Sequence, residues 1–134
     1  MNKYQRQTIL PQVGINGQQK LAEARVLIVG AGGLGCALLP YLAAAGIGNL
    51  GIVDGDQVEE SNLHRQILYT PKNIGENKVE AAKAFLKAQQ PELHCTTYAE
   101  YLSGKNALDL FKNYDIIIDA TDRIDVRYLI NDAA

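Results

Sequence analysis

Residues 25–35 read Arg-Val-Leu-Ile-Val-Gly-Ala-Gly-Gly-Leu-Gly, so a short apolar run leads directly into three spaced glycines. The run predicts a buried strand over residues 26–29, followed by a turn and an apolar helix. In such a unit Gly30 allows the tight turn, Gly32 lets the backbone approach a phosphate, and Gly35 lets the helix pack closely on the strand. The free N–H groups at the start of the helix favour an anion. The stretch therefore predicts a nucleotide site in an α/β fold.

Strands and helices alternate along the rest of the chain. We predict further strands over residues 50–53, 93–98 and 115–119, helices over residues 34–45, 77–90 and 103–113, and a last helix marked by Val126, Leu129, Ile130 and Ala133. Asn77 and Glu80 predict a capping box at the start of the second of these helices. Pro11, Gly14 and Gly17 interrupt the polar, helix-tolerant beginning of the chain. This order favours a Rossmann-like, doubly wound, mainly parallel sheet with strand one between strands two and four.

The bulk composition narrows the class of protein. A length of 134 residues is typical of one domain. We predict a helical arm over residues 1–20, followed by the α/β domain over residues 21–134. A formal net charge of −2 gives no electrostatic reason to bind nucleic acid. No apolar run is long enough to span a membrane, and no signal peptide opens the sequence. Cys36 and Cys95 match no zinc or redox spacing, so we predict reduced, buried thiols in a cytoplasmic protein.

An acidic residue follows the second predicted strand. Asp54 fits the acid that hydrogen-bonds a ribose hydroxyl in dinucleotide-binding units, although residues 54–56 could also form only a turn that ends the strand. The carboxyl ends of parallel strands meet at one edge of a sheet. The glycine turn, Asp54 and residues 119–122 should therefore converge on one crevice. An NAD-dependent dehydrogenase would fit these features equally well.

Cations in the next segments favour a phosphate-rich ligand. Residues 57–75 form a connection too long for an ordinary loop, which predicts a functional role. It contains Arg65, whose guanidinium suits phosphate oxygens, or which is simply a solvated loop residue. Lys78 lies in the first turn of a predicted helix, where a cation opposes the helix dipole, and it makes more sense there if it meets a phosphate.

Two carboxylates follow the fourth predicted strand. Magnesium is commonly held by one or two carboxylates together with the phosphates of the substrate. Asp122 is the better candidate for this role, and Asp119 is read as a structural cap. His64 and His94 are read as ordinary polar residues. One nucleotide pocket with several cations and a magnesium carboxylate suits attack at the α-phosphate of ATP, with pyrophosphate leaving.

Taken together, these segments resemble the adenylyltransferases of molybdopterin and thiamine biosynthesis, which are relatives of the ubiquitin-activating enzymes. The resemblance rests on an ordered set of eight blocks along essentially the whole chain, namely residues 4–7, 17–21, 26–35, 49–56, 61–66, 75–78, 119–122 and 127–131.

The resemblance implies an activity and a set of residues. Such enzymes use ATP and Mg²⁺ to adenylate the C-terminal carboxylate of a ubiquitin-like sulfur carrier that ends in Gly-Gly. The implied catalytic residues are Arg6, Arg65, Lys78 and Asp122, with Asp122 serving the metal and Arg6 reaching into the neighbouring subunit of a homodimer. The implied nucleotide-binding residues are Gly30, Gly32, Gly33, Gly35, Asp54, Asp56, Ser61, Asn62, Arg65, Gln66, Lys78, Thr121 and Asp122.

The resemblance also implies that full-length relatives continue beyond the position of Ala134, into a part that holds zinc. We therefore expect this chain to be the nucleotide-binding half of such an enzyme, with zinc only in the part absent here. Whether it is an excised piece, a fragment or a natural short form stays open, as does the sulfur pathway. A non-catalytic module that binds ATP or a partner is the alternative, and an NAD-dependent oxidoreductase is a third reading.

Overall fold

A computed structural model describes residues 14–63 and 68–121, which form a four-stranded parallel sheet with helices on both faces. The strands are β1 (Arg25–Val29), β2 (Asn49–Val53), β3 (His94–Tyr98) and β4 (Ile116–Asp119), arranged in the order β3-β2-β1-β4. The first strand therefore lies between the second and the fourth. The predicted Rossmann-like fold class and strand order are both confirmed.

Four helices and two short 3-10 turns accompany these strands in the described residues, and the first helix precedes β1. The helices are α1 (Gly14–Glu23), α2 (Gly33–Ala45), α3 (Lys78–Gln89) and α4 (Ala107–Phe111), and the turns are Glu60–Asn62 and Pro71–Asn73. Within the two described ranges, none of the helices combines the length and hydropathy that a membrane crossing requires.

The sheet has a core on each face because successive strand residues point to opposite sides. Ile28 is fully buried on the face that packs against Leu39 of α2 and Leu86 of α3. Leu27 is fully buried on the other face, together with Phe111 of α4. This two-sided covering fixes the register of β1, since a slip of one residue would exchange the two faces.

The two cysteines belong to the core under α2 and α3. Cys36 and Cys95 are both buried, and neither forms a disulfide. Burial raises the pKa of the Cys95 thiol to about 11. The prediction of buried thiols is confirmed.

Helix α1 runs through positions at which we expected an interruption. It begins at Gly14, continues past Gly17 and crosses the proposed boundary between residues 20 and 21. Its end is fixed to the domain, because the backbone N–H of Gly48 donates to the carbonyl of Leu21 at 3.1 Å. Tertiary packing thus outweighs the low helix propensity of Gly17. The division of the chain at residue 20 stays a prediction.

The start of α3 differs from the predicted capping box. Asn77 occupies the N-cap position, but its side chain makes no capping hydrogen bond. The carboxylate of Glu80 instead accepts a hydrogen bond from the Thr97 hydroxyl on β3. Backbone pairing between Gln57 and Asn77 fixes the entry to the helix, so the box is replaced by a small β-bridge.

Helix α4 is shorter than the range of residues 103–113 that the sequence predicts. The side-chain oxygen of Asn106 accepts a hydrogen bond from the backbone N–H of Ser103 at 2.7 Å. The Asn106 amide also donates to the carbonyl of Tyr101 at 2.9 Å. Such local side-chain bonds compete with helical ones, which is why the regular helix begins only at Ala107.

Candidate functional site

Three loops meet at the carboxyl edge of the sheet. Val29 is in register with Val53 of β2 and with Asp119 of β4. Just beyond the strands, the N–H of Gly30 donates to the carbonyl of Val53, and the N–H of Ala120 donates to the carbonyl of Val29, both at 2.9 Å. The loops that follow β1, β2 and β4 therefore begin side by side, which confirms the predicted convergence of the glycine turn, Asp54 and residues 119–121, while Asp122 lies outside the described residues.

The glycines of the first loop have distinct steric roles. Gly30 has a φ of +104°, which favours glycine, so its predicted role in the tight turn is confirmed. A Cβ at Gly35 would lie 2.2 Å from the carbonyl oxygen of Gly30, so its predicted role in close packing is also confirmed. A Cβ at Gly33 would have nothing within 4 Å. The approach of Gly32 to a phosphate stays a prediction.

The N-terminus of α2 has the features of an anion site. The helix begins at Gly33, and the N-cap residue Gly32 has no side chain with which to satisfy the first N–H groups. The first turn contains no acidic residue that would repel an anion. The open space next to the Gly33 backbone lies at this same helix start. A phosphate group would thus find backbone donors and room beside them.

The peptide groups on both sides of Ala31 are held by side chains from two other segments. The Ala31 N–H donates to the Asp54 carboxylate at 2.7 Å, and the Ala31 carbonyl accepts from the Tyr69 hydroxyl at 2.7 Å. The thiol of Cys36 lies 3.5 Å from the same carbonyl. Burial raises the pKa of Tyr69, so its hydroxyl stays a donor. The glycine loop is therefore fixed before any ligand arrives.

We expect Tyr69→Phe to lower the free energy of unfolding by about 1–2 kcal/mol, because the buried Ala31 carbonyl loses its shorter hydrogen bond. Urea denaturation followed by circular dichroism measures this. Tyr41→Phe is the matched control, since Tyr41 is 77% exposed on α2 and should change stability by less than about 0.5 kcal/mol. Equal stability of both variants would show that Tyr69 does not hold the loop.

Asp54 is part of the loop architecture. One carboxylate oxygen accepts from Ala31, and the other accepts from the backbone N–H of Asp56 at 2.8 Å. The alternative role of Asp54 in ending the strand is therefore present in the structure. A carboxylate has about four acceptor positions, so the two backbone bonds leave capacity for a hydroxyl. The contact between Asp54 and a ribose stays a prediction.

Lys78 is the one buried charged residue within residues 14–63 and 68–121. It is the first residue of α3, as predicted, and its side chain is only 7% exposed. Its ammonium lies 3.8 Å from a carboxylate oxygen of Asp56, which is half-exposed. Burial raises the pKa of the Cys36 thiol, and the nearby Tyr69 hydroxyl and Lys78 ammonium oppose that rise. Hydrogen bonds link Lys78 to the glycine loop, because its N–H donates to the Asp56 carbonyl at 3.0 Å and the Asp54 carboxylate accepts from the N–H groups of both Asp56 and Ala31.

Asp56 also meets a tyrosine that follows β3. The Tyr101 hydroxyl donates to the other carboxylate oxygen of Asp56. The Tyr101 ring lies against Gly55, where a Cβ would come within 2.6 Å of a ring carbon. Sequence reasoning missed both Tyr69 and Tyr101. Their partners are 38 and 45 residues away along the chain, and neither tyrosine belongs to a recognisable motif.

Other predicted binding residues are engaged in local bonds. The side-chain oxygen of Asn62 accepts from the N–H of Glu59 at 3.2 Å, and Ser61 is exposed in the same turn. Asp119 accepts from both the N–H and the hydroxyl of Thr121, at 2.9 and 2.6 Å, which agrees with its reading as a structural cap. Contacts of Ser61, Asn62 and Thr121 with a nucleotide stay predictions.

Several predicted positions lie outside the described residues. They are Arg6, Arg65, Gln66 and Asp122, together with His64 and the last predicted helix. Lys78, Asp54, Asp56 and the glycine loop are thus the predicted site residues that the structure brings together. His94, at the start of β3, is exposed at the opposite edge of the sheet.

A glycine loop at the carboxyl edge of a Rossmann-like sheet, with a buried lysine linked to it, is typical of nucleotide-binding domains. Comparison with models of protein families shows to which family within that class the chain belongs. The model of the ThiF family matches residues 4–134, which is nearly all of the sequence. The chain belongs to the ThiF family.

Named relatives and a solved structure agree with this assignment. The chain is 49% identical over 134 residues to the "Sulfur carrier protein adenylyltransferase" of Thermus thermophilus, covering 100% of this chain and 49% of the relative. It is 54% identical over 132 residues to "Adenylyltransferase and sulfurtransferase uba4" of Aspergillus niger, covering 98% of this chain and 27% of the relative.

Among solved structures, E. coli tRNA N6-threonylcarbamoyladenosine dehydratase in complex with ATP matches with a TM-score of 0.80 and 30% identity. That match covers 84% of this chain and 47% of the solved one. The chain thus spans about half the length of the bacterial relative and about a quarter of the fungal one.

Proposed function

We propose that this chain is the ATP-binding part of an enzyme that adenylates a sulfur-carrier protein. The observation that carries the proposal is the buried ammonium of Lys78, a residue that hydrogen bonds through Asp56 and Asp54 link to the glycine loop and its open helix start. A buried ammonium needs negative charge close by, and the triphosphate of ATP supplies more of it than the pyrophosphate of a dinucleotide cofactor. The two relatives carry adenylyltransferase names, and the structural neighbour contains ATP.

The proposed reaction begins with the phosphates bound along the glycine loop. Backbone N–H groups at Gly32 and Gly33 contact phosphate oxygens, and Asp54 accepts a hydrogen bond from the ribose. The carboxylate at the C-terminus of the carrier attacks the α-phosphorus of ATP. The bond to the bridging oxygen breaks, and pyrophosphate leaves with the electron pair. No proton has to be removed, because the nucleophile is already a carboxylate.

Charge stabilisation in this proposal comes from several cations. Lys78 and Arg65 contact the phosphates and Asn62 adds a neutral hydrogen-bond donor, while Mg²⁺ would be held by Asp122 together with the phosphates. Bound Mg²⁺ would neutralise charge that develops on the leaving pyrophosphate. Arg6 comes from a second copy, so the proposed enzyme is a homodimer. Zinc is assigned only to a part of the protein beyond these residues.

The proposed partner is a ubiquitin-like carrier that ends in Gly-Gly, of the molybdopterin or thiamine type. A terminal Gly-Gly suits a narrow site because it brings no side chains to the reacting carboxylate. The two buried thiols suit a reducing compartment, so we place this reaction in the cytoplasm.

A second candidate is a module that binds ATP or a partner without catalysis. It is favoured because the open start of α2 and the buried ammonium of Lys78 account for phosphate binding without requiring a reaction. Carrier-dependent exchange of labelled pyrophosphate into ATP distinguishes the two functions. Exchange is expected if the chain adenylates the carrier, whereas nucleotide binding without exchange would favour the binding module.

A further inference from the structure

We propose that Tyr101 is a positioning residue that keeps Asp56 from pairing tightly with Lys78, so that the ammonium stays available to the phosphates of ATP. This inference rests on the proposed function, because it concerns how the same site is prepared for its ligand. Tyr101 follows β3 and is not among the site residues predicted from the sequence.

Tyr101 is held in place by contacts with the loop that follows β2. Its ring lies where a side chain at position 55 would be, since a Cβ at Gly55 would approach a ring carbon to 2.6 Å. Its hydroxyl donates to one carboxylate oxygen of Asp56. Tyr101 is nevertheless 54% exposed as a residue, so it contributes little to the core. Its contacts with Gly55 and Asp56 therefore position the loop after β2 and add little to the stability of the domain.

Asp56 is fixed at several points. Its N–H donates to the Asp54 carboxylate at 2.8 Å, and its carbonyl accepts from the N–H of Lys78 at 3.0 Å. Its side chain is shared between the Tyr101 hydroxyl on one oxygen and the Lys78 ammonium on the other. The position of this carboxylate therefore decides how closely it approaches the ammonium.

The distance between Asp56 and Lys78 is the feature that needs explanation. At 3.8 Å the two charges attract each other, but the contact is longer than the roughly 2.7–2.9 Å of a charge-assisted hydrogen bond. Tyr101 holds the opposite oxygen and so prevents the carboxylate from turning fully toward Lys78. The ammonium keeps a counter-charge while the site is empty and remains able to contact a phosphate.

Removing the Tyr101 hydroxyl should therefore weaken ATP binding through Lys78. In Tyr101→Phe the ring still covers Gly55, but the Asp56 carboxylate can rotate into a direct ion pair with Lys78. We expect the dissociation constant for ATP to rise about tenfold, the size of one hydrogen bond to a charged group. Calorimetric titration of the full natural chain with ATP measures this, and Tyr41→Phe should leave the constant unchanged.

A double-mutant cycle separates this role from a purely structural one. If Tyr101 acts through Asp56, the effect of Tyr101→Phe should vanish in the Asp56→Asn background, because the competing negative charge is gone. A loss of the same size in both backgrounds, or no loss in Tyr101→Phe alone, would overturn the inference and leave the proposed function intact. If the wild-type chain does not bind ATP, the proposed function and this inference both fail.

Discussion

Replacing Lys78 with methionine is expected to lower ATP affinity about 10- to 100-fold, because a hydrogen bond to a charged group contributes about 1.5–3 kcal/mol. Methionine retains most of the buried apolar stem, so the packing at the start of α3 is kept. The distance to Asp56 is long and the Asp56 side chain is half-exposed, so solvent screens the pair, and screened pairs stabilise a fold by about 0–1 kcal/mol. The free energy of unfolding should therefore change by less than about 1 kcal/mol.

The comparison needs binding and stability measured on the same preparation. Calorimetric titration gives the dissociation constant for ATP, and urea denaturation gives the free energy of unfolding. Lys83→Met is the matched control, because Lys83 lies on the same helix, near Cys95 and away from the glycine loop. It should bind ATP as the wild-type chain does. A Lys78→Met variant that loses stability and affinity to the same extent would identify a structural lysine.

The glycine loop offers a second large effect, in which two neighbouring glycines respond in opposite ways. Gly35→Ala should destabilise the fold by about 3 kcal/mol or more, since the new methyl group would lie 2.2 Å from the backbone oxygen of Gly30. Gly33→Ala should fold normally and gain about 0.5–1 kcal/mol of stability, because it lies at a helical position with open space around it.

Gly33→Ala, which the fold tolerates, should nevertheless weaken ATP binding. The methyl group in Gly33→Ala would occupy the space that we assign to a phosphate. Its ATP affinity should therefore fall at least about tenfold, which corresponds to about 1.4 kcal/mol, in a fully folded protein. Denaturation curves and ATP titrations of both variants provide the test. Unchanged ATP affinity in Gly33→Ala would show that the phosphates do not bind at the start of α2.

The sequence was sufficient to predict the sheet, because its signals are local. Strand β1 and helix α2 follow from one apolar run and its glycines, and the parallel order follows from the alternation of strands with helices. The meeting of the glycine loop with Asp54 follows from the same topology. Lys78 could be singled out because a cation in the first turn of a helix is unfavourable unless something compensates it.

The details that the sequence did not predict depend on long-range side-chain contacts. Tyr69 and Tyr101 anchor the loops around Ala31 and Asp56, and no periodicity or spacing marks them. Local side-chain hydrogen bonds also move the ends of helices away from the predicted positions. The bond from the Ser103 N–H to the Asn106 side chain, for example, holds a turn where the sequence predicts the start of a helix. The glycine at position 17 was expected to interrupt a helix, but the packing of α1 against the domain outweighs its propensity.

The central claim is that a carrier carboxylate is joined to AMP at this site. It is tested most directly by exchange of labelled pyrophosphate into ATP, measured with an intact carrier and with the same carrier lacking its last glycine. We expect exchange with the intact carrier, none with the shortened one, and loss of exchange in Lys78→Met. Absence of exchange with every carrier that ends in Gly-Gly, under conditions in which ATP binds, would contradict the claim.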